Sequence, residues 1–185
     1  ALKSASEGLF YELNGWFGKK HLWKLEDEVL PLENLPYITP KTKILVKLVQ
    51  NSFKSVILCS YIDMVKQIEQ QLIKSGKRVF ILTGRSADKN KVLEEFKHSS
   101  KSASLVISPV GERDLDIPQA DLLIIYDVVN TVKTVYQRLK RIRKGKIIIL
   151  CYEDTSEEKK VSRLLENMVR RYPWSIKLNT TLNAK

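Results

Sequence analysis

The densest chemistry in this sequence lies between Tyr136 and Lys146, where five of the seven residues from Arg138 to Lys144 are basic. No acid occurs between Asp127 and Glu153 to offset them. Cations packed this closely repel one another, so an anionic ligand is their natural compensation. A guanidinium fork such as that of Arg141 suits a phosphoryl group whose charge must be neutralised during transfer, and several neighbouring cations suit a phosphodiester backbone. A cationic last turn also stabilises a helix dipole with no ligand at all. A second stretch runs from Ser108-Pro109 through Asp116 to Pro118. Small hydroxyl residues at a strand end leave room for a phosphate, and the Asp116 carboxylate can accept from a ribose hydroxyl. The same loop reads equally as a capped turn with solvated acids. Two histidines, His21 and His98, and two cysteines, Cys59 and Cys151, stand at unrelated spacings that do not compose a zinc site, and we expect no metal held by this chain. Each cysteine closes an apolar run and reads as a reduced core residue.

These side chains need a scaffold, and the hydropathy pattern describes one. Apolar runs at 55–59, 78–82, 103–107, 121–126 and 146–152 read as buried strands, with a further short strand at 175–178. Between them lie helical patterns: Thr39-Pro40 as cap and first turn of a helix bearing Ile44, Leu45, Leu48 and Val49; 63–74 with Val65, Ile68, Leu72 and Ile73 facing inward; and a helix through Val92, Leu93 and Phe96. Two more cover 131–142 and 156–171. Continuous apolar strands alternating with amphipathic helices predict an α/β fold, a parallel sheet covered by helices on both faces, with ligands at the strand C-terminal ends. Residues 1–37 differ in texture. Leu9-Phe10-Tyr11, Trp16-Phe17 and Leu22-Trp23 are interrupted by Gly15 and Gly18, as in a broken helical extension that needs a partner surface, and Pro31, Pro36 and Pro40 mark the boundary to a domain spanning 38–185. The aromatics of that extension read as docking or core residues rather than as base-stacking platforms.

The chain has 185 residues, 43% of them apolar, and carries a formal charge of +11. That is enough apolar material for a buried core and excludes collagen-like, low-complexity and wholly disordered classes. Its longest apolar runs are strand-sized, well short of the roughly 18 residues of a membrane helix. With no export signal, a cytoplasmic location is expected, or a nuclear one in a eukaryote. The chain opens on Ala1 without an initiator Met, which suggests a trimmed or excised piece.

Taken in order, the loops have a family likeness. The chain resembles the second RecA-like domain of superfamily 2 helicases, and within them the archaeal Hef-type DNA-repair helicases, over residues 40 to about 171. Ser60 and Tyr61 stand where that family has a strand end and loop meeting the nucleic-acid backbone. Thr83-Gly84-Arg85, followed by Leu93 and Phe96, matches the next backbone-contacting loop and its helix. Ser108, followed by Pro109, matches a phosphate-contacting Thr. Leu115-Asp116-Ile117-Pro118 matches the Gly-Leu-Asp-Ile-Pro signature, whose Asp borders the nucleotide ribose. Gln137 and Arg141 match Gln-x-x-Gly-Arg-x-x-Arg, in which the arginines reach the γ-phosphate. The family's glycines are Asp114 and Lys140 here, and its last arginine is Lys144, which keeps the charge but not the bidentate fork.

The resemblance implies the second motor lobe of an ATP-dependent DNA helicase or translocase, with Arg141 and Lys144 completing an ATP site and Asp116 and Gln137 lining it. There is no Gly-x-x-x-x-Gly-Lys-Ser/Thr loop and no apolar strand ending in Asp-Glu. ATP is then shared with a first RecA-like lobe, in cis or in trans, that also holds Mg²⁺, and this lobe alone is expected to be inactive as an ATPase. Single-stranded or branched DNA is the implied track, with RNA as a variant, and a nuclease or repair protein is a possible partner. The alternative is a non-catalytic orphan RecA-like module that binds nucleic acid and such a partner. A dinucleotide enzyme is disfavoured, because no Gly-x-Gly-x-x-Gly loop follows the first strand.

Overall fold

The computed structural model describes residues 38–108, 119–127 and 145–171. The extension at 1–37, the helix expected at 131–142 and the strand expected at 175–178 lie outside the described residues, so the division at residue 38 is not addressed.

Among the described residues, five strands and four helices alternate: α1 Pro40–Gln50, β1 Lys54–Leu58, α2 Ile62–Lys74, β2 Arg78–Leu82, α3 Lys89–Lys97, β3 Ala103–Ile107, β4 Leu122–Ile125, β5 Lys146–Ile149 and α4 Ser156–Arg171. The strands form one parallel sheet in the order β2-β3-β1-β4-β5. Parallel strands buried on both faces should be apolar at every position. The central three conform apart from Lys54, which opens β1 half-buried, and from Ser55 of β1, which faces Ser104 of β3 in register; the two hydroxyls hydrogen-bond at 2.9 Å, so that neither is stranded.

Because side chains alternate across a strand, each strand feeds two cores. Val56, Leu58, Leu105, Ile107, Leu123 and Ile125 pack on one face against Leu93 and Phe96 of α3 and Leu164 and Met168 of α4. Phe80 of β2 meets the Phe96 ring edge-on at 5.8 Å. On the other face Ile57, Val106 and Ile124 lie under Leu45 and Val49 of α1 and Val65, Ile68 and Leu72 of α2. The sheet is thus covered by helices on both sides.

The helix ends follow their capping residues. Thr39 Oγ1 accepts from the Thr42 N–H at 3.2 Å and Pro40 occupies the first turn of α1. Asp88 caps α3 by accepting from the Lys91 N–H at 2.9 Å. Helix α2 stops at Gly76, whose φ of +82° lets its N–H reach the Ile73 carbonyl while the Lys77 N–H returns to the Leu72 carbonyl.

Three expectations need correction. Ile73 is 55% exposed instead of facing inward, while Met64 is buried, because a position one residue past Leu72 is rotated about 100° off the stripe of Val65, Ile68 and Leu72. Strand β5 ends at Ile149 rather than continuing to 152, and as the edge strand among the described residues it is only half covered, with Ile147 36% exposed. Cys151 consequently lies beyond the strand and is only partly buried, whereas Cys59, one residue past β1, is a core residue.

Candidate nucleic-acid interface

All five strands point the same way, so the loops after β1, β2 and β3 open on one edge of the sheet, and the order β2-β3-β1 fixes their sequence along it. Strand spacing puts the ends of β2 and β1 about 10 Å apart with β3 between them. The sheet bonds continue into the loops: the Ser108 N–H donates to the Leu82 carbonyl at 2.9 Å, and the Cys59 N–H to the Ile107 carbonyl at 3.0 Å. Ser60 and Tyr61, Thr83-Gly84-Arg85 and Ser108 are thereby brought into one row. Pro109, Asp116, Gln137, Arg141 and Lys144 lie outside the described residues.

The members of the row differ in what they can offer. Ser60 is exposed, and its N–H is already committed to Asp127 Oδ2 at 2.6 Å, which leaves the hydroxyl. Tyr61, 38% exposed, caps α2 through its carbonyl, which accepts from the Val65 N–H at 3.0 Å. The Thr83 loop is closed on itself: Thr83 N–H donates to Ser86 Oγ at 2.9 Å, Ser86 N–H to the Thr83 carbonyl at 3.1 Å, and Arg85 N–H to Thr83 Oγ1 at 3.3 Å. This turn presents Gly84 and the Arg85 side chain to solvent. Ser108 is 4% exposed and forms the floor of the row, so it is less accessible than its neighbours. A hydroxyl, a turn and a guanidinium on one rim can receive anionic oxygens without reading bases.

Sequence reasoning missed a buried charged cluster beside this row. Asp127 follows β4, the other neighbour of β1, and burial holds its carboxyl above the usual carboxylate range although the Ser60 N–H, the Cys59 thiol and Lys41 all pull it down. Burial, reinforced by Asp127, pushes the Cys59 thiol well up. Lys41 of α1, 6% exposed, forms an ion pair with Glu157 of α4 and donates to the Tyr126 carbonyl at 3.2 Å. Its ammonium sits 5.5 Å from the Tyr126 ring centre and 5.0 Å from that of Tyr152. The Tyr126 hydroxyl meets Thr42 at 2.8 Å and Thr39 at 3.0 Å, and desolvation raises its pKa further above the phenolic value. A signal was present: cations in the first turn of a helix oppose its dipole, and Lys41 and Lys43 there with no acid in that turn called for an acidic partner elsewhere.

The connection from β3 starts at Ser108 and that from β4 at Asp127, on either side of β1 and about 10 Å apart along the same edge. The second connection returns at Gly145 to the opposite edge, where the Lys146 N–H donates to the Asp121 carbonyl at 2.8 Å. Among the described residues, no helix is long and apolar enough to cross a membrane, and no group of three His, Cys, Asp or Glu side chains could hold a metal ion.

Comparison with known proteins agrees with this geometry. Residues 40–146 match the family described as helicase conserved C-terminal domain. The Fanconi anemia group M protein homolog of Mus musculus is 27% identical over 152 residues, covering 65% of this chain and 8% of that protein. The chain therefore spans less than a tenth of that curated relative. Of solved structures, the Pyrococcus furiosus Hef helicase domain aligns over 86% of this chain and 34% of its own, at 23% identity and a TM-score of 0.54. The Escherichia coli DEAD-box protein SrmB, bound to regulator of ribonuclease activity A, aligns over 71% and 78%, at 22% identity and a TM-score of 0.58. These two likenesses are of fold.

Proposed function

Because the chain belongs to the helicase conserved C-terminal domain family, as a RecA-like lobe of the superfamily 2 type, we propose that it is the second motor lobe of an ATP-dependent DNA helicase or translocase. The observation that carries this reading is the row of loops at the C-terminal ends of β2, β3 and β1, with Ser60 and Arg85 exposed on it. In this function Ser60, Tyr61, Thr83, Gly84, Arg85, Ser108 and Pro109 hold successive backbone phosphates, which gives grip without sequence preference. The choice of DNA leans on the likeness to the Fanconi anemia group M homolog and to Hef.

The nucleotide half of the proposal rests on residues 109–118 and 128–144. Their connections leave one edge from the two neighbours of β1, which favours their meeting around a single ligand. Asp116 would border the ribose, Gln137 and Arg141 would approach the γ-phosphate, and Lys144 would add charge without a fork. Bound ATP would supply a phosphoryl group for transfer to water, and a first RecA-like lobe would contribute the phosphate loop and the Mg²⁺ ligands. Closure of the two lobes brings Arg141 against the developing charge, and reopening shifts the row along the strand. A nuclease or repair protein remains a proposed partner. The bound regulator of SrmB shows that one similarly folded protein takes a protein partner.

The test is Arg141→Ala in the full-length protein. DNA-stimulated ATP hydrolysis should fall by at least 10³-fold, as for a lost arginine finger, with DNA binding retained. Undiminished turnover in the variant would overturn the role given to Arg141, whereas no DNA-stimulated ATP hydrolysis by the unmodified full-length protein would overturn the motor reading and favour the non-catalytic module that Asp114, Lys140 and Lys144 suggest.

A further inference from the structure

We propose that the solvent-facing side of α4 is a second binding surface for a nucleic-acid phosphate backbone, formed by Lys159, Lys160, Arg163, Arg170 and Arg171. The choice of polyanion rests on the helicase reading above; the surface itself does not. All five side chains are exposed, and at 100° per residue they fall within a sector of about 120°: Lys159, Arg163 and Arg170 lie on the side away from the buried Val161, Leu164 and Met168, while Lys160 and Arg171 border that buried stripe next to Leu164. Glu166 is the one fully exposed acid of α4, and none of the ion pairs among the described residues involves the five cations. Helix stability does not account for the pattern. Arg170 and Arg171 suit the C-terminal end of the dipole, but Lys159 and Lys160 oppose it at the other end, and Lys159 with Arg163 is a like-charge pair four residues apart.

The chemistry of the face selects among anionic partners. A lipid surface needs an apolar side to insert, and the apolar side of α4 is already spent on Ile125, Leu123 and Phe96 in the core. An acidic protein partner would be anchored by aromatic or large aliphatic side chains, and the basic sector has none. A phosphate backbone asks only for cations along a line. From Lys159 to Arg171 the helix rises about 18 Å, roughly five base steps of a duplex. The surface is separate from the row at the sheet edge: α4 starts near that edge, where Glu157 meets Lys41, and runs back across the sheet face. A lobe gripping a strand at its rim could thus hold the adjoining duplex along its flank.

The experiment compares full-length protein with Lys159→Gln/Arg163→Gln/Arg170→Gln, using a fluorescent DNA duplex that carries a single-stranded tail, between 50 and 200 mM salt. Loss of three phosphate contacts should lower the slope of log affinity against log salt by about 2.7, and at 100 mM salt weaken binding on the order of 10- to 100-fold. Binding of the tail alone as single-stranded DNA should change much less. An unchanged slope on the tailed duplex, with Arg85→Ala weakening single-strand binding, overturns this inference and leaves the helicase reading standing. Absence of any DNA or RNA binding by the unmodified protein overturns the helicase reading, and the inference with it. Thermal unfolding of the triple variant must match the parent, and phosphatidylserine vesicles captured by the parent but not by the variant, with DNA binding unaltered, would overturn the inference in favour of a membrane.

Discussion

Replacing Glu157 by Gln strips the buried Lys41 ammonium of its counter-charge while leaving the cation in place. Removing one partner of a buried pair costs about 3 kcal/mol or more, whereas replacing both by apolar residues of similar volume is often close to neutral. We therefore expect urea unfolding to show a loss of about 3 kcal/mol for Glu157→Gln and a smaller loss for Lys41→Met/Glu157→Leu. Asp127 gives a pH signature of the opposite kind. Its folded carboxyl titrates above its unfolded value, so the folded state binds more protons, and Asp127 contributes stability at acid pH that is lost as pH rises from about 4 toward its raised value. Asp127→Asn keeps an acceptor for the Ser60 N–H and removes that dependence. The variant should gain stability relative to the parent between about pH 4 and pH 7, as read from denaturant midpoints; a parallel pair of pH profiles would refute the assignment. Neither group was visible in the sequence as functional. Asp127 stood there as the end of an apolar run, and its bond to Ser60 joins residues 67 positions apart, which no periodicity reports.

At the scale of elements, the pattern of apolar residues was legible wherever one face of a helix meets the sheet. Helix 156–171 coincides with the observed α4, and the strand positions at 78–82 and 103–107 coincide with β2 and β3. Legibility failed at the ends. The Ile147-Ile148-Ile149-Leu150-Cys151 run continues apolar after the ladder stops, because hydropathy does not record whether a neighbouring strand is long enough to pair with it. Ile73 illustrates the complementary failure, a large aliphatic residue on the solvent side of α2. Gly76 was not singled out, although the left-handed turn there sets where α2 ends. An added Cβ at Gly76 would meet nothing within 4 Å, so Gly76→Ala isolates the backbone cost. It should destabilise by about 1 kcal/mol in chemical denaturation. Met168→Ala, at a fully buried position of α4, should cost about 2 to 5 kcal/mol by the same measurement.

For the molecule as a whole, a formal charge of +11 predicts that nucleic-acid binding is dominated by counterion release. Affinity should fall by orders of magnitude between 50 and 200 mM salt, and binding that ignored salt would point to base stacking instead. The α/β class, and the sharing of one edge by the loops after β1, β2 and β3, followed from strand and helix alternation alone, since parallel strands share one C-terminal edge whatever their order. The order β2-β3-β1-β4-β5 did not follow, because crossovers are decided by packing between distant residues. The ion pair between Lys41 and Glu157 joins the helix at the start of the described fold to the one at its end, 116 positions apart. The match to the helicase family closes at residue 146, before either Glu157 or Met168. A piece cut at that point would keep every strand residue but the last three of β5, yet it would expose the underside of the sheet and take away both the Glu157 carboxylate and the Tyr152 ring that cover the Lys41 ammonium. Anyone excising this lobe for study should carry the blade past Arg171.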